Sequence, residues 1–214
     1  MAKLKGLSLF ANVGIAEAYM KDIGVDIKIA NEIDVDRARF YQEVYPDAHM
    51  VCGDITNDEV RTSIVEEALG CGVDFVIATP PCQGMSRVGK MEAFDIRNQL
   101  IYYAVDVIKA VKPKFVLIEN VPQALITKIS VDGQELLIPD YLRLELGQDY
   151  RFNTDTRVKA MDYGVPQMRP RSIFLLSRKD TKIEWEFPKH ETKKVTLEDA
   201  IGPLPSVDPM LKEG

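Results

Sequence analysis

Two hydrophobic rhythms alternate along the chain. Short β-branched and aromatic runs, at Leu4 to Phe10, Asp26 to Asn31, His49 to Cys52, Val73 to Ala78 and Phe115 to Ile118, predict strands. Between them apolar residues recur every third or fourth position, as buried helix faces require. Ile15, Ala18, Tyr19 and Ile23 predict a helix after the turn Ala11-Asn12-Val13-Gly14. Asp34 to Tyr45 predicts a second, capped by Asp34 and broken by Pro46-Asp47. Glu59 to Leu69 predicts a third, ended by Cys71-Gly72, and Asn98 to Val111 a fourth, closed by Lys112-Pro113-Lys114. Strand and helix in alternation predict an α/β fold, a doubly wound, mostly parallel sheet with helices on both faces. Farther on come a turn at Asp132-Gly133 and a helical pattern from Tyr141 to Leu146. Phe152 to Lys159 and Ser172 to Ser177 then predict an antiparallel strand pair at the C-terminal end. From Lys189 the chain reads as linker, with Lys193-Lys194 followed by Pro203, Pro205 and Pro209.

Ligands of such sheets bind beyond the carboxyl ends of the strands, and the residues capable of chemistry gather there. Cys82 follows Ala78 by a short turn that Pro80 and Pro81 stiffen. A thiolate needs only modest help from positive charge to attack an electron-poor carbon, and Arg87, Lys90 and Arg97 are close in sequence. The competing reading is a small buried apolar cysteine. Gly14 lets backbone approach a ligand, and the free N–H groups of a helix starting there attract an anion such as a carboxylate. Glu32 ends the second strand eighteen positions after Gly14. A carboxylate so placed can bind both hydroxyls of a ribose, or can be a solvated loop residue. Asp54 ends the third strand and could accept from an exocyclic amine such as that of adenine. Glu119 stands at the end of the fifth strand, beside the strand that delivers Cys82. There it could act as an acid, its pKa raised toward neutrality by partial burial, or simply cap a helix near Pro122. Gln167, Arg169 and Arg171 alternate, which on an extended chain places them on one face, with Pro170 marking an edge or a strand's entry. Two guanidiniums and an amide suit a base edge and phosphates, or form a surface charge cluster. The polar loop from Gly84 to Arg97 would lie over the site.

Composition narrows the choice. No apolar stretch approaches a membrane span and no signal-peptide core follows Met1-Ala2-Lys3-Leu4-Lys5, so the cytoplasm is expected. Cys52, Cys71 and Cys82 form no C-x-x-C pair and His49 and His190 are the only histidines, which supports neither a disulfide framework nor a metal site. Cys52 and Cys71 are expected to be packing residues. A net charge of −6 argues against holding nucleic acid by electrostatics alone. Any such contact is local, or comes from another part of the protein.

The motifs in order resemble those of the cytosine-C5 DNA methyltransferases, over about residues 4 to 178. Pro80-Pro81-Cys82-Gln83 resembles the family's Pro-Cys-Gln loop, Glu119-Asn120-Val121 its Glu-Asn-Val, and Gln167-x-Arg169-x-Arg171 its Gln-x-Arg-x-Arg. Leu9-Phe10-Ala11 with Asn12 and Gly14 resembles the first cofactor motif, where the aromatic lies against adenine. Glu32 and Asp54 match the ribose and adenine carboxylates, Ile33 an adenine-packing residue, and Asp95-x-Arg97-Asn98-x-Leu100 a further segment of the cofactor site. Ser8 stands where the family usually has aspartate, Asn12 where it has the first glycine of the turn, and Asn98 where it has another glycine.

The resemblance implies a Rossmann-like domain over residues 1–188 that uses S-adenosylmethionine, with 189–214 leading to a target-recognition domain. It implies double-stranded DNA as substrate, in a restriction-modification system. The flipped cytosine would be attacked at C6 by Cys82, with Pro81 shaping the loop, Asn120 supporting it and Glu119 at N3. Arg171 would hold O2, with Arg169 and Gln167 ordering neighbouring loops. The family's target-recognition domain and the segment that completes its cofactor site are not among these residues, which implies either a shortened chain or one working with a second subunit. The tRNA-methylating branch of the family shares the chemistry, although Gly84-Met85-Ser86 is more like the DNA enzymes. A non-catalytic scaffold for a recognition chain is the alternative from another class.

Overall fold

A computed structural model describes residues 4–81, 99–131 and 133–205. Its strands are β1 (Leu4–Leu9), β2 (Val25–Glu32), β3 (His49–Cys52), β4 (Phe75–Ala78), β5 (Phe115–Asn120), β6 (Lys128–Val131), β7 (Gln134–Leu137), β8 (Tyr150–Lys159) and β9 (Pro170–Arg178). Its helices are α1 (Val35–Val44), α2 (Asp58–Cys71), α3 (Leu100–Val111), α4 (Ile138–Leu146) and α5 (Leu197–Ile201). Seven strands form one sheet in the order β3-β2-β1-β4-β5-β9-β8. The first five are mutually parallel, while β9 runs antiparallel to both β5 and β8. This is the mostly parallel sheet with an antiparallel pair that the alternation of elements predicts.

Period-two alternation on the central strands feeds two cores. Leu7, Leu9, Val76 and Ala78 face one side, where α2, α3 and α4 contribute Ile64, Ala104, Ile108 and Leu142. Phe75 and Ile77 face the other, against Tyr41 of α1 and Ala11 of the turn after β1. Trp185 covers that second core beyond β9, its ring 5.7 Å from Phe75 and 6.1 Å from Phe115. Burying such side chains contributes about 1.5–3 kcal/mol each. The strand order reverses between β1 and β4, so the crossovers diverge there and leave a crevice at the carboxyl edge.

Helix boundaries follow their signals. The Asp34 carboxylate accepts from the Asp36 and Arg37 amides, both at 3.0 Å, and Gly72, with φ of 67°, stops α2. The turn near Gly133 proves to be a hairpin of β6 and β7. The expected first helix is a correction. Residues 11–24 form turns, closed by contacts such as Glu17 N to Gly14 O (3.3 Å) and Met20 N to Glu17 O (2.9 Å). Ile15, Tyr19 and Ile23 are exposed, while Glu17 is buried. So short a helix needs its apolar stripe buried, and here a polar strap at Glu17 sets which side faces inward. Cys52 and Cys71 are a second correction, since both are exposed. One ends the edge strand β3 and the other ends α2, where neither faces a core.

The segment read as linker is tied down in part. Glu191 N donates to Asp162 O at 2.8 Å, Lys194 pairs with Asp162 at 3.0 Å, and α5 opens with a capping box between Thr196 and Asp199. No helix among the described residues is long and apolar enough to cross a membrane. Among those residues no group of His, Cys, Asp and Glu could hold a metal ion.

Candidate active site

A cavity of about 560 Å³ opens at the carboxyl edge where the connections leaving β1 and β4 diverge. Its size suits a small-molecule cofactor. At one end lie Thr79, Pro80 and Pro81 after β4 and Glu119, Asn120 and Val121 after β5, with Arg169 and Arg171 entering from β9. Antiparallel register sets Asn120 opposite Ser172, which brings Arg171 beside Glu119. Arg171 Nε donates to Glu119 Oε1 at 2.7 Å, their side chains 19% and 30% exposed. Asn120 is buried, its amide donating to Pro80 O at 3.2 Å while its carbonyl oxygen accepts from Val121 N at 2.8 Å. The proline turn is thus held to β5. Cys82 and the Gly84 to Arg97 loop lie outside the described residues.

The other end is lined by Phe10, Asn12, Glu32, Ile33, Asp54, Ile55 and Leu100. Glu32 is 5% exposed, and each of its oxygens accepts a backbone N–H, from Asn12 at 2.9 Å and Asp34 at 3.0 Å. A carboxylate has about four lone-pair sites, so acceptor capacity is left over. Asn31 donates to Val51 O (2.9 Å) and Gly53 O (3.0 Å), which fixes the β3 exit carrying Asp54 against β2.

The turn from Phe10 to Gly14 is wound tightly. Phe10 and Asn12 have φ of 60° and 52°, in the left-handed region, where asparagine is tolerated and phenylalanine is strained. Gly14, at φ 81°, packs so closely that a Cβ would run into the Tyr45 ring, and Tyr45 Oη donates to its carbonyl at 2.6 Å. Gly14 and Ala11 are buried behind the turn and do not line the cavity.

Gln167 does not reach the cavity either. β9 begins only at Pro170, after the turn at Gly164 (φ 80°), so Gln167 lies ahead of the strand and outside the cavity lining, which Arg169 and Arg171 join. The sequence reading misses Ile55 at the cofactor end, and two ionisable residues besides. Arg37, exposed in the first turn of α1, lines the cavity near Ile33, with its distance from the carboxyl end of β2 as the only signal. Glu17 lies beneath the cofactor-side turn, 3% exposed, accepting from the Ser8 hydroxyl.

The family model described as C-5 cytosine-specific DNA methylase matches residues 4–212. The chain belongs to that family. Among curated relatives of this chain, the type II methyltransferase M1.HgaI of Avibacterium volantium is 42% identical over 210 residues, covering 96% of this chain and 58% of the relative. The type II methyltransferase M.XorII of Xanthomonas oryzae pv. oryzae is 33% identical over 215 residues, covering 97% and 48%. Among solved structures, a prophage-encoded E. coli protein described as a DNA modification methyltransferase aligns with a TM-score of 0.75 at 29% identity, covering 96% of this chain and 56% of that one. The chain thus spans about half the length of these relatives. Its fold is the Rossmann-like methyltransferase fold.

Proposed function

We propose that this chain is the catalytic and cofactor-binding part of a type II DNA cytosine-C5 methyltransferase. The observation that carries the reading is the single cavity joining Glu32 and Asp54 at one end to Glu119, Arg171 and the Pro80-Pro81 turn at the other. Relatives bearing the type II methyltransferase name support it. The cofactor end fits an adenosine: Phe10, Ile33, Ile55 and Leu100 offer apolar surface to a flat base, and Glu32 and Asp54 offer acceptors to ribose hydroxyls and the exocyclic amine. S-adenosylmethionine, bound there, supplies an electrophilic methyl group.

The residues divide the remaining work. A stacked cytosine cannot reach this cavity, so the base is flipped out of the duplex. Cys82, as thiolate, adds to C6 of the base, while Glu119 gives a hydrogen bond or proton at N3, and the electron pair of the broken C5–C6 double bond makes C5 nucleophilic. After C5 is methylated its proton leaves to a base, the C5–C6 double bond re-forms and the thiolate departs. Arg171 orients Glu119 and binds the cytosine O2, Arg169 approaches from the same strand entry, and Asn120 keeps the Pro80-Pro81 turn in place. Gln167, outside the cavity, orders the approach to β9. Target recognition comes from protein beyond these residues, on a longer chain or a second subunit, and the nucleic acid is duplex DNA.

The test is intact mass after incubating this chain, together with the recognition part of its enzyme, with S-adenosylmethionine and duplex DNA containing 5-fluorocytosine. Fluorine cannot leave as the proton does, so the base stays on the enzyme. An adduct mapped to Cys82 and absent from Cys82→Ser is expected. Methylation of ordinary DNA without such an adduct would overturn the mechanism.

A further inference from the structure

We propose that Glu17 is a positioning residue for the cofactor turn, holding Phe10 to Gly14 in place as a neutral carboxylic acid bonded to Ser8. The inference rests on reading that turn as the cofactor's. Glu17 is 3% exposed and Ser8 2%, and the Ser8 hydroxyl donates to Glu17 Oε1. Ser8 is the penultimate residue of β1 and Glu17 closes the turn, so this bond straps the turn's far side to the strand that launches it. The strap has something to hold, because Phe10 and Asn12 both sit in the left-handed region.

The surroundings select the neutral form. Glu17 Oε2 is buried without a hydrogen-bond partner, and so is the hydroxyl of Tyr41 on α1. Tyr45, which caps the end of α1, is committed to Gly14 O. Around the cleft beside Glu17, Lys21 pairs with Asp47 at 3.2 Å and Asp26 with Lys28 at 2.9 Å, and Asp22 adds a further negative charge. Burial accordingly pushes the Glu17 carboxyl up, with the Ser8 bond opposing it only in part. A carboxylate there would face two phenols and no free cation among these groups.

Glu17→Gln keeps the shape and the acceptor without the ionisation, and Glu17→Ala removes the strap. Two readouts on the full chain separate the possibilities: amide hydrogen exchange over residues 9–20, compared between variants at equal pH, and S-adenosylhomocysteine affinity by calorimetry. Glu17→Ala should exchange the turn about tenfold faster and bind about tenfold more weakly, the loss of one buried hydrogen bond. Glu17→Gln should match wild type at the acidic end of a pH series and bind better than it toward the alkaline end, where wild type loosens as the acid ionises. If Glu17→Ala does not fold, Ser8→Ala cuts the same bond with a smaller change. Unchanged turn exchange on cutting the bond, or identical pH profiles for wild type and Glu17→Gln, would overturn the proposal. Wild type failing to bind S-adenosylhomocysteine would instead count against the cofactor reading, and the exchange comparison would still decide the strap.

Discussion

Glu119 lines the cavity, Glu17 lies outside it under the turn after β1, and the two are held by opposite means. Glu119 stands at the end of β5 with a guanidinium 2.7 Å away and nearly a third of its side chain open to the cavity. Glu17 lies under the turn after β1 with a hydroxyl for a partner and almost no exposure. A carboxyl meant to meet a ligand needs an open lone pair and a partner that fixes its direction. A carboxyl that fastens backbone needs neither, and its charge becomes a liability. The two should therefore fail differently when altered.

The largest expected effect is on chemistry at Glu119. On the proposed mechanism Glu119→Gln takes away the acid offered to the base while keeping an acceptor for Arg171, so methyl transfer should fall by about 10²–10⁴-fold. Single-turnover methylation of duplex DNA measures this, and the urea midpoint should barely move. A variant that unfolds instead would make Glu119 a structural residue like Glu17 and erase the contrast.

Glu119 was legible in the sequence and Glu17 was not, for a physical reason. Residues that end buried parallel strands announce themselves, because Phe115-Val116-Leu117-Ile118 can be little else and a side chain at its carboxyl end must lie at the ligand edge. The same logic placed Glu32, Asp54 and the proline turn on the cavity, and strand-helix alternation gave the sheet. It failed at residues 15–23. Ile15, Tyr19 and Ile23 have helical spacing, yet they face outward, and the buried member of that stretch is a glutamate. Periodicity assumes that apolar residues choose the inner face, whereas a side-chain bond to Ser8 chose it here. Gln167 differs in a similar way, since alternation with Arg169 and Arg171 needs an extended chain and β9 begins only at Pro170.

On the buried side the largest effect should come from Gly14. Any side chain there meets the Tyr45 ring and takes a left-handed φ, so Gly14→Ala should destabilise the fold by about 2–4 kcal/mol in urea unfolding. A smaller loss would show that the turn is soft and needs no strap. The pH response of Glu17 comes next. Its folded-state pKa is raised, so between the unfolded value, about 4.3, and the raised value the folded chain holds more protons than the unfolded one. Stability from this group is complete below that window and declines as pH rises through it. Wild type should lose stability relative to Glu17→Gln across that window, read as diverging urea midpoints.

The smallest effect sharpens the comparison most. Tyr45→Phe deletes the 2.6 Å bond to Gly14 O, but that carbonyl still accepts from Glu17 N at 3.3 Å, so no buried acceptor is orphaned. The cost should therefore sit at the low end for a neutral hydrogen bond, about 0.5–1 kcal/mol. Asn120→Ala offers the matching deletion on the catalytic side, where it frees Pro80 O and leaves Val121 N without its acceptor. If the two ends work as their carboxyls suggest, Tyr45→Phe should weaken S-adenosylhomocysteine binding a little and leave single-turnover methylation at saturating cofactor unchanged. Asn120→Ala should do the reverse, slowing methylation with cofactor affinity intact. Both variants moving both readouts together would mean that the cavity behaves as one unit, and that the difference between Glu17 and Glu119 is one of burial alone.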